Sequence, residues 1–148
     1  MLRENEMDAN QQKFFETKTK EATESSPWLI PFREKLLAIG GSGVVLWNGS
    51  NEKAFVELLL QYGHLYPTKE LGVRKGDAND CHENARRWAR QRPDWYNYAT
   101  GYALSRQVWR PHSWLFNLKR KRIIETTVRQ EKYFGFDYLI DVRNGESV

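Results

Sequence analysis

Residues 109–127 read WRPHSWLFNLKRKRIIETT, and they contain two strand-like segments on either side of a basic turn. Aromatic and β-branched residues are frequent in both segments, 111–118 and 122–128, as is typical of strands. The run KRKR between them favours the exposed turn of a hairpin. Side chains on one face of such a hairpin lie next to each other. The stretch therefore predicts that His112 and Glu125 are adjacent on an antiparallel pair of strands.

A helix and a third strand are predicted upstream of this hairpin. The segment YNYATGYALS, near 97–106, has the composition of a strand. Residues 76–89, GDANDCHENARRWA, predict an amphipathic helix after a polar loop. Asp80 stands at the N-cap position with Glu83 three residues later, which predicts a capping box. We therefore expect a helix that begins at Cys81 and packs on an antiparallel sheet.

Cys81 is the only cysteine of the chain, and its position is favourable for a reactive thiol. The free N–H groups and the positive dipole end of a helix N-terminus stabilise a thiolate, which is the nucleophilic form. The apolar residues at helical spacing are Cys81, Ala85, Trp88 and Ala89. This face points inward and leaves the thiol at the edge of the core. Position alone also fits an inert structural cysteine, so that alternative stays open.

The rest of the chain predicts one α+β domain, residues 26–148, preceded by a flexible polar arm, residues 1–25. We expect the arm to be removable without unfolding the domain. A helix is predicted from about Pro31 to Ile39, and a second helix in EKAFVELLLQYG. The segments VVLWNGS and YFGFDYLIDV predict a short buried strand and a closing strand or packed tail.

Composition restricts the class of protein. The chain has 148 residues, of which 40% are hydrophobic, and this suits one domain with a core. Neither a signal-peptide core nor an apolar run of about 18 residues is present in the sequence. A single cysteine excludes an internal disulfide and a multi-cysteine zinc site. We expect a cytoplasmic protein without a membrane partner, cofactor or metal; a metal set of His82, His112 and Glu125 is a minor alternative.

The order of these motifs resembles the transglutaminase-like and papain-like cysteine enzymes. Their pattern is a cysteine at a helix start, then a strand with His-Ser/Ala-Trp, then a strand similar to Val-Ile-Asp-Pro-Thr. The corresponding fragments here are NDCHENA, PHSWLF and IIETT, and YATGYAL resembles the family's central strand. The resemblance covers about 79–127, roughly a third of the chain. It implies a papain/transglutaminase-like core, in which the helix with the N-terminal cysteine packs on a small antiparallel sheet.

The resemblance also implies a catalytic triad of the thiol-protease type. Cys81 matches the nucleophile, His112 the base, and Glu125 stands where the family usually has Asp. Lys75 stands where papain-like members have a Gln that stabilises the oxyanion. Helix-start N–H groups, Asn79 or Asn84 are the candidates for that role here. The implied activity is that of a cysteine-dependent hydrolase, peptidase or transglutaminase-like acyltransferase. It would act on an amide, isopeptide or ester bond of a protein or peptide substrate through a thioester.

Two alternatives of other classes remain at this stage. The net charge is +4, and basic clusters alternate with aromatic residues, which fits a non-catalytic module that binds nucleic acid or protein. The aromatic candidates for base stacking are Trp88, Trp95, Tyr96, Tyr98 and Trp109. A phage accessory protein that acts by docking alone is the other alternative. Selective alkylation of the thiol at neutral pH would favour the enzyme, since a binding module does not need a reactive cysteine.

Overall fold

The structure is a computed structural model that describes residues 8–46, 52–77, 80–137 and 141. These residues form helices and one seven-stranded sheet, so the α+β class is confirmed. The helices are α1 (Ala9–Ser25), α2 (Leu29–Ile39), α3 (Glu52–Tyr62) and α4 (Cys81–Gln91). The strands are β1 (Gly43–Val44), β2 (His64–Leu65), β3 (Gly72–Val73), β4 (Tyr96–Ser105), β5 (Val108–Asn117), β6 (Arg122–Glu125) and β7 (Lys132–Asp137).

Strands β4, β5 and β6 form the predicted antiparallel core of the sheet. The strand order is β2-β7-β4-β5-β6-β3, with the short β1 beside β5. Strand β4 pairs with β5 along its whole length, and β7 pairs with β4 on the other side. The predicted strands near 97–106, 111–118 and 122–128 are thus confirmed, with the basic run at the β5–β6 turn. The predicted closing strand is β7, and residues 138–140 lie outside the described residues.

The two faces of the sheet are covered by different parts of the chain. On one face, α2 and α3 pack over a cluster that includes Phe32, Leu59 and Trp109, and α4 packs over Leu115. On the other face, the segment around Tyr66 covers a smaller cluster of Ala99, Ala103, Trp114, Ile123 and Tyr133. Because strand side chains alternate, His112 points to the face of Trp114, and Ser113 points to the helix face.

The outer edge of β5 is divided between two partner strands. Strand β1 pairs with it at Val108 and Trp109, and β6 pairs with it at residues 115–117. Between these pairings, no other strand of the described part of the chain covers residues 110–114. Helix α4 packs against β5 and β4. Its first residue therefore reaches β5 at the uncovered stretch, where His112 and Ser113 lie.

The capping box predicted for α4 is wrong. Asp80 is the N-cap residue, but its side chain makes no capping hydrogen bond. The carboxylate of Glu83 instead lies 3.3 Å from Nη2 of Arg90, two turns along the helix. Opposite charge along the helix surface attracts this side chain away from the N-terminus. The helix still begins at Cys81, as predicted.

The N-terminal arm is more ordered in structure than its composition indicates. From Ala9 to Ser25 it is helix α1, which begins with a capping box between Asp8 and Gln11. Ala22 is buried in the core cluster, and a Cβ at Gly43 would lie 2.6 Å from the Phe15 ring. Residues 1–7 lie outside the described residues. That the arm can be removed without unfolding the domain stays a prediction.

Within the described residues, none of the helices has both the length and the apolar character needed to cross a bilayer.

The helices predicted around Pro31–Ile39 and in EKAFVELLLQYG are present as α2 and α3. Of the segment VVLWNGS, Val44 lies in β1, and residues 47–50 lie outside the described residues.

Candidate active site

The fold brings the three predicted site residues together. Cys81 is the first residue of α4, His112 lies in β5, and Glu125 is the last residue of β6. Because Leu115 pairs with Ile124, Glu125 lies diagonally across from His112 on the same face. Nε2 of His112 is 3.0 Å from Oε1 and 2.9 Å from Oε2 of the carboxylate. His112 is 8% exposed and Glu125 is fully buried, so this pair is shielded from water.

Cys81 contacts the other side of this pair. Its sulfur lies close enough to the His112 side chain and to the backbone N–H of Ser113 for both to act on the pKa of the thiol. Since Glu125 holds Nε2, the ring nitrogen that remains for the thiol is Nδ1. Partial burial raises the pKa of the Cys81 thiol, but the hydrogen bond and charge of His112 and the Ser113 N–H outweigh it. The net result is a thiol pKa below its ordinary value.

The histidine and the carboxylate are shifted in opposite directions by their contact. Burial lowers the pKa of His112, but hydrogen bonds to Cys81 and Glu125 and their negative charges raise it to about 9. Burial raises the pKa of Glu125, and its hydrogen bond with His112 and the charge of the imidazolium bring it below its usual range. These groups titrate together. The contacts in the site therefore shift its equilibrium toward a thiolate, an imidazolium and a carboxylate.

Tyr133 and Thr127 hold the carboxylate of Glu125 in place. The Tyr133 hydroxyl donates to Oε2 at 2.6 Å, and Thr127 donates to Oε1 through its N–H at 3.1 Å and its hydroxyl at 3.0 Å. The Tyr133 oxygen accepts the N–H of Gln130 at 3.0 Å. A buried carboxylate with donors on both oxygens is fixed in orientation. The longer arm of Glu, compared with Asp, is thus accommodated in this site.

A second contact joins the same two elements on the opposite face of β5. Nδ1 of His82 hydrogen bonds with Oγ of Ser113. The Ser113 hydroxyl donates to Thr100 at 3.0 Å, and the Tyr98 hydroxyl lies 2.8 Å from it. Since Ser113 has one proton and donates it to Thr100, His82 and Tyr98 act as donors to its oxygen. His82 is exposed, but its ring is hydrogen bonded to the strand residue next to His112.

Asn84 organises the loop before the nucleophile and is not available as an oxyanion donor. Its Nδ2 donates to the Asp77 carbonyl at 2.8 Å, and its Oδ1 accepts the Asp77 N–H at 3.1 Å. A Cβ at Gly76 would lie 2.5 Å from Cγ of Asn84, so the loop is packed closely on this side chain. Asn79 lies outside the described residues. The N–H groups in the first turn of α4 remain as predicted oxyanion donors, since such groups have no acceptor within a helix.

The sulfur of Cys81 opens into a cleft of 410 Å³. Its lining residues are Lys75, Gly76, Cys81, Ala103, Arg110, Pro111, His112, Thr127, Val128 and Gln130. Lys75 thus lines the same cleft as the thiol. The site has an accessible volume next to the nucleophile, which a substrate acyl group requires.

Two of the five aromatic residues proposed for nucleic-acid stacking, Trp109 and Tyr96, are buried in the fold. Trp109 is fully buried and donates to the Gly40 carbonyl at 2.9 Å, and Tyr96 is 9% exposed. Trp95 is 37% exposed, with Arg92 and Lys119 at 4.4 and 5.1 Å from its ring. Trp109 and Tyr96 are therefore not available for base stacking, whereas Trp95 is exposed beside two cations.

Sequence reasoning missed the supporting residues Ser113, Thr127, Tyr133 and the role of His82. Because strand side chains alternate along PHSWLF, Ser113 points to the face opposite to that of His112. This alternation is the only feature of the sequence that indicates a contact between Ser113 and α4.

Among the described residues, no group of three or more His, Cys, Asp or Glu side chains is arranged to hold a metal ion. Comparison of the chain with protein-family models, curated proteins and solved structures gives no significant match.

Proposed function

We propose that this protein is a cysteine-dependent hydrolase or acyl transferase with a papain/transglutaminase-like core. Cys81 is the nucleophile, His112 is the general base and acid, and Glu125 orients the imidazole. The substrate is an amide, isopeptide or ester of a protein or peptide. The observation that carries the proposal is the line of contacts from the Cys81 sulfur through His112 to a fully buried carboxylate, beside an open cleft.

The first half of the reaction uses the pre-formed ion pair. The Cys81 thiolate attacks the carbonyl carbon and forms a C–S bond, while the carbonyl electrons move to the oxygen. The positive end of α4 and its first N–H groups stabilise this oxyanion. The His112 imidazolium then gives its proton to the leaving amine or alkoxide. The bond to the leaving group breaks, and a thioester on Cys81 remains.

The second half regenerates the enzyme. His112, now neutral, takes a proton from water or from an acceptor amine, which attacks the thioester carbon. The tetrahedral intermediate collapses with release of the Cys81 thiolate, and the product is an acid or a new amide. Glu125 stays ionised throughout and stabilises the imidazolium each time that it forms. Water and amine acceptors differ only in the group that enters the cleft.

The experiment is a thiol titration combined with trapping of the acyl-enzyme. Because Cys81 is the only cysteine, iodoacetamide labelling of the whole protein reports on this residue alone. We expect labelling of the native chain to remain fast below pH 7. In the urea-unfolded chain, the labelling rate should depend on pH as it does for an ordinary thiol. A p-nitrophenyl ester should acylate Cys81 and release a burst of p-nitrophenol, which is followed by its absorbance. Peptide mapping should then find the acyl group on Cys81.

The matched control is Cys81→Ser, which keeps a half-buried side chain of similar size. It should fold like the wild type and lose turnover by about 10⁴-fold or more. The proposal fails if native and unfolded chains titrate alike and the ester leaves no acyl group on Cys81. An inert structural cysteine gives that result.

A further inference from the structure

The cleft beside Cys81 is positively charged. Lys75 and Arg110 contribute cationic side chains to its lining, and none of the lining residues that the structure describes is acidic. The other lining residues are small, apolar or neutral, apart from Cys81 and His112. Across the part of the chain that the structure describes, the ion pairs involve neither Lys75 nor Arg110. Among the described residues, neither charge is therefore neutralised by an ion pair.

Two independent segments place these cations at the cleft. Arg110 lies two residues before His112 on β5, so both side chains point to the same face. Lys75 follows β3 in a segment that continues alongside β6, where the N–H groups of Arg74 and Gly76 donate to the carbonyls of Glu125 and Thr126 at 2.7 and 2.8 Å. The backbone on both sides of Lys75 is thus held against the strand that carries Glu125.

The nearest acidic residue of the Lys75 loop is directed elsewhere. Oδ2 of Asp77 lies 3.7 Å from Nη1 of Arg87, on α4, and Asn84 fixes the Asp77 backbone. This contact leaves Lys75 as the charged side chain that the loop presents to the cleft. Two unpaired cations in a concave site attract an anion, because the low-dielectric walls concentrate their field.

We propose that the cleft selects acyl substrates that carry an anionic group, a carboxylate or a phosphate, near the reacting carbonyl, and that Lys75 and Arg110 bind this group. The inference rests on the proposed function and names its substrate class. The guanidinium of Arg110 matches a carboxylate or phosphate through two parallel hydrogen bonds, whereas Lys75 acts as a point charge. The apolar residues Ala103, Pro111 and Val128 contact the uncharged part of the acyl group.

The test compares two alkylating agents that differ in charge. In both reactions the thiolate forms a C–S bond and displaces iodide, but iodoacetate is an anion and iodoacetamide is neutral. We expect the ratio of the iodoacetate to the iodoacetamide rate constant to be about tenfold higher in the native protein than in the urea-unfolded chain. Added NaCl should lower this ratio, because salt screens the cations.

Charge-neutral variants assign the effect to the two residues. Lys75→Gln and Arg110→Gln should each lower the ratio by about threefold, and the double variant by more. The ratio cancels any change in the thiolate fraction, because both agents react with the same thiolate. Lys13→Gln on α1 is the matched control, since it removes the same charge from an exposed position. Circular dichroism checks that each variant is folded. A ratio that is equal in the native protein, Lys75→Gln and Arg110→Gln overturns the inference.

Protection and turnover distinguish the two anions. Inorganic phosphate and succinate, compared at equal ionic strength, should slow iodoacetamide labelling of the wild type but not of the double variant, and the stronger competitor identifies the preferred group. Mono-p-nitrophenyl succinate should acylate Cys81 faster than neutral p-nitrophenyl butyrate. If labelling shows a reactive Cys81 without any charge preference, the substrate class is wrong and the proposed function stands. If Cys81 is unreactive to both agents, the proposed function itself fails.

Discussion

His112 and His82 have opposite environments, although both lie at the junction of α4 and β5. His112 meets Cys81 and Glu125 on one face of the strand, and His82 meets Ser113 on the other. The partners of His112 are acidic and raise its pKa to about 9. Burial, together with the positive charges of His112 and Arg86, lowers the pKa of His82. One imidazole is therefore held charged at neutral pH, and the other is held neutral.

The comparison shows how two neighbouring pairs serve different purposes. Cys81 and His82 are consecutive in the helix, and His112 and Ser113 are consecutive in the strand. Each contact restrains the geometry of the other, because the helix cannot slide along β5 without breaking both. The charged pair performs the proposed chemistry, and the neutral pair positions the helix start. The variants Glu125→Gln, His112→Ala, Tyr133→Phe and Ser113→Ala separate the contribution of the charged pair from that of the neutral pair.

The largest effect is expected for Glu125→Gln, which removes the charge that holds His112 protonated. Loss of one partner of a buried ion pair costs about 3 kcal/mol of unfolding free energy near pH 7, measured by urea denaturation. Glu57→Gln on α3 is the exposed control and should change stability by less than about 0.5 kcal/mol. Equal stability of Glu125→Gln and the wild type would show that the carboxylate is not ionised in the folded state.

The same pair predicts how stability depends on pH. The pKa of Glu125 is lowered by folding, so its contribution is present above its ordinary pKa and is lost as the pH falls through the folded value. The pKa of His112 is raised, so its contribution is complete below the ordinary value and is lost as the pH rises through about 9. The difference between wild type and Glu125→Gln should therefore decrease at both ends of the pH range.

His112→Ala should reduce iodoacetamide labelling of Cys81 near pH 6 by about 10- to 100-fold. Without the imidazolium, burial and the charge of Glu125 raise the pKa of the thiol, and only the Ser113 N–H lowers it. Each unit of increase in this pKa lowers the thiolate fraction tenfold at that pH. His82→Ala should change the rate by less than about threefold, since its ring does not touch the sulfur in the contacts described above. His64→Ala, at an exposed histidine paired with Asp141, is the second control. Equal effects of His112→Ala and His82→Ala would end the distinction between the two histidines.

Tyr133→Phe should destabilise the fold by about 2 kcal/mol, because the lost hydrogen bond ends on a charged carboxylate. The matched control is Tyr102→Phe on the other face of the sheet. The Tyr102 hydroxyl donates to the neutral Val45 carbonyl at 2.9 Å, and its loss should cost about 1 kcal/mol. Urea denaturation of both variants measures the difference. A larger cost for Tyr102→Phe would contradict an ionised Glu125.

The smallest effect is expected for Ser113→Ala. This change removes the acceptor of His82 but keeps the backbone N–H that hydrogen bonds with Cys81. We expect a loss of about 1 kcal/mol in stability and a thiol pKa within about half a unit of the wild type, from the pH profile of labelling. A large increase in the thiol pKa would assign the neutral pair a direct part in activating Cys81.

The sequence predicted the contacts that follow from local periodicity. The two-residue repeat along PHSWLF and IIETT, joined by a basic turn, put His112 and Glu125 on one face. The apolar spacing after residue 80 placed Cys81 at a helix start. It did not reveal that Glu83 pairs with Arg90 instead of capping the helix, nor that residues 9–25 form one long helix. Which of these contacts forms depends on the competition between several partners for the same polar group. A sequence motif does not show which partner is bound.

Only the tertiary structure decided how α4 meets the sheet. The uncovered stretch of β5 arises because β1 and β6 each pair with a different end of that edge. This gap admits the N-terminus of α4 and brings Cys81 to His112, His82 to Ser113, and Lys75 into the cleft. The residues in the first two contacts are 31 positions apart in the chain. Local propensity acts within a few residues, whereas such contacts are selected by the packing of whole elements. Physically, this is why the sequence determined which groups are present and the fold determined their pKa values.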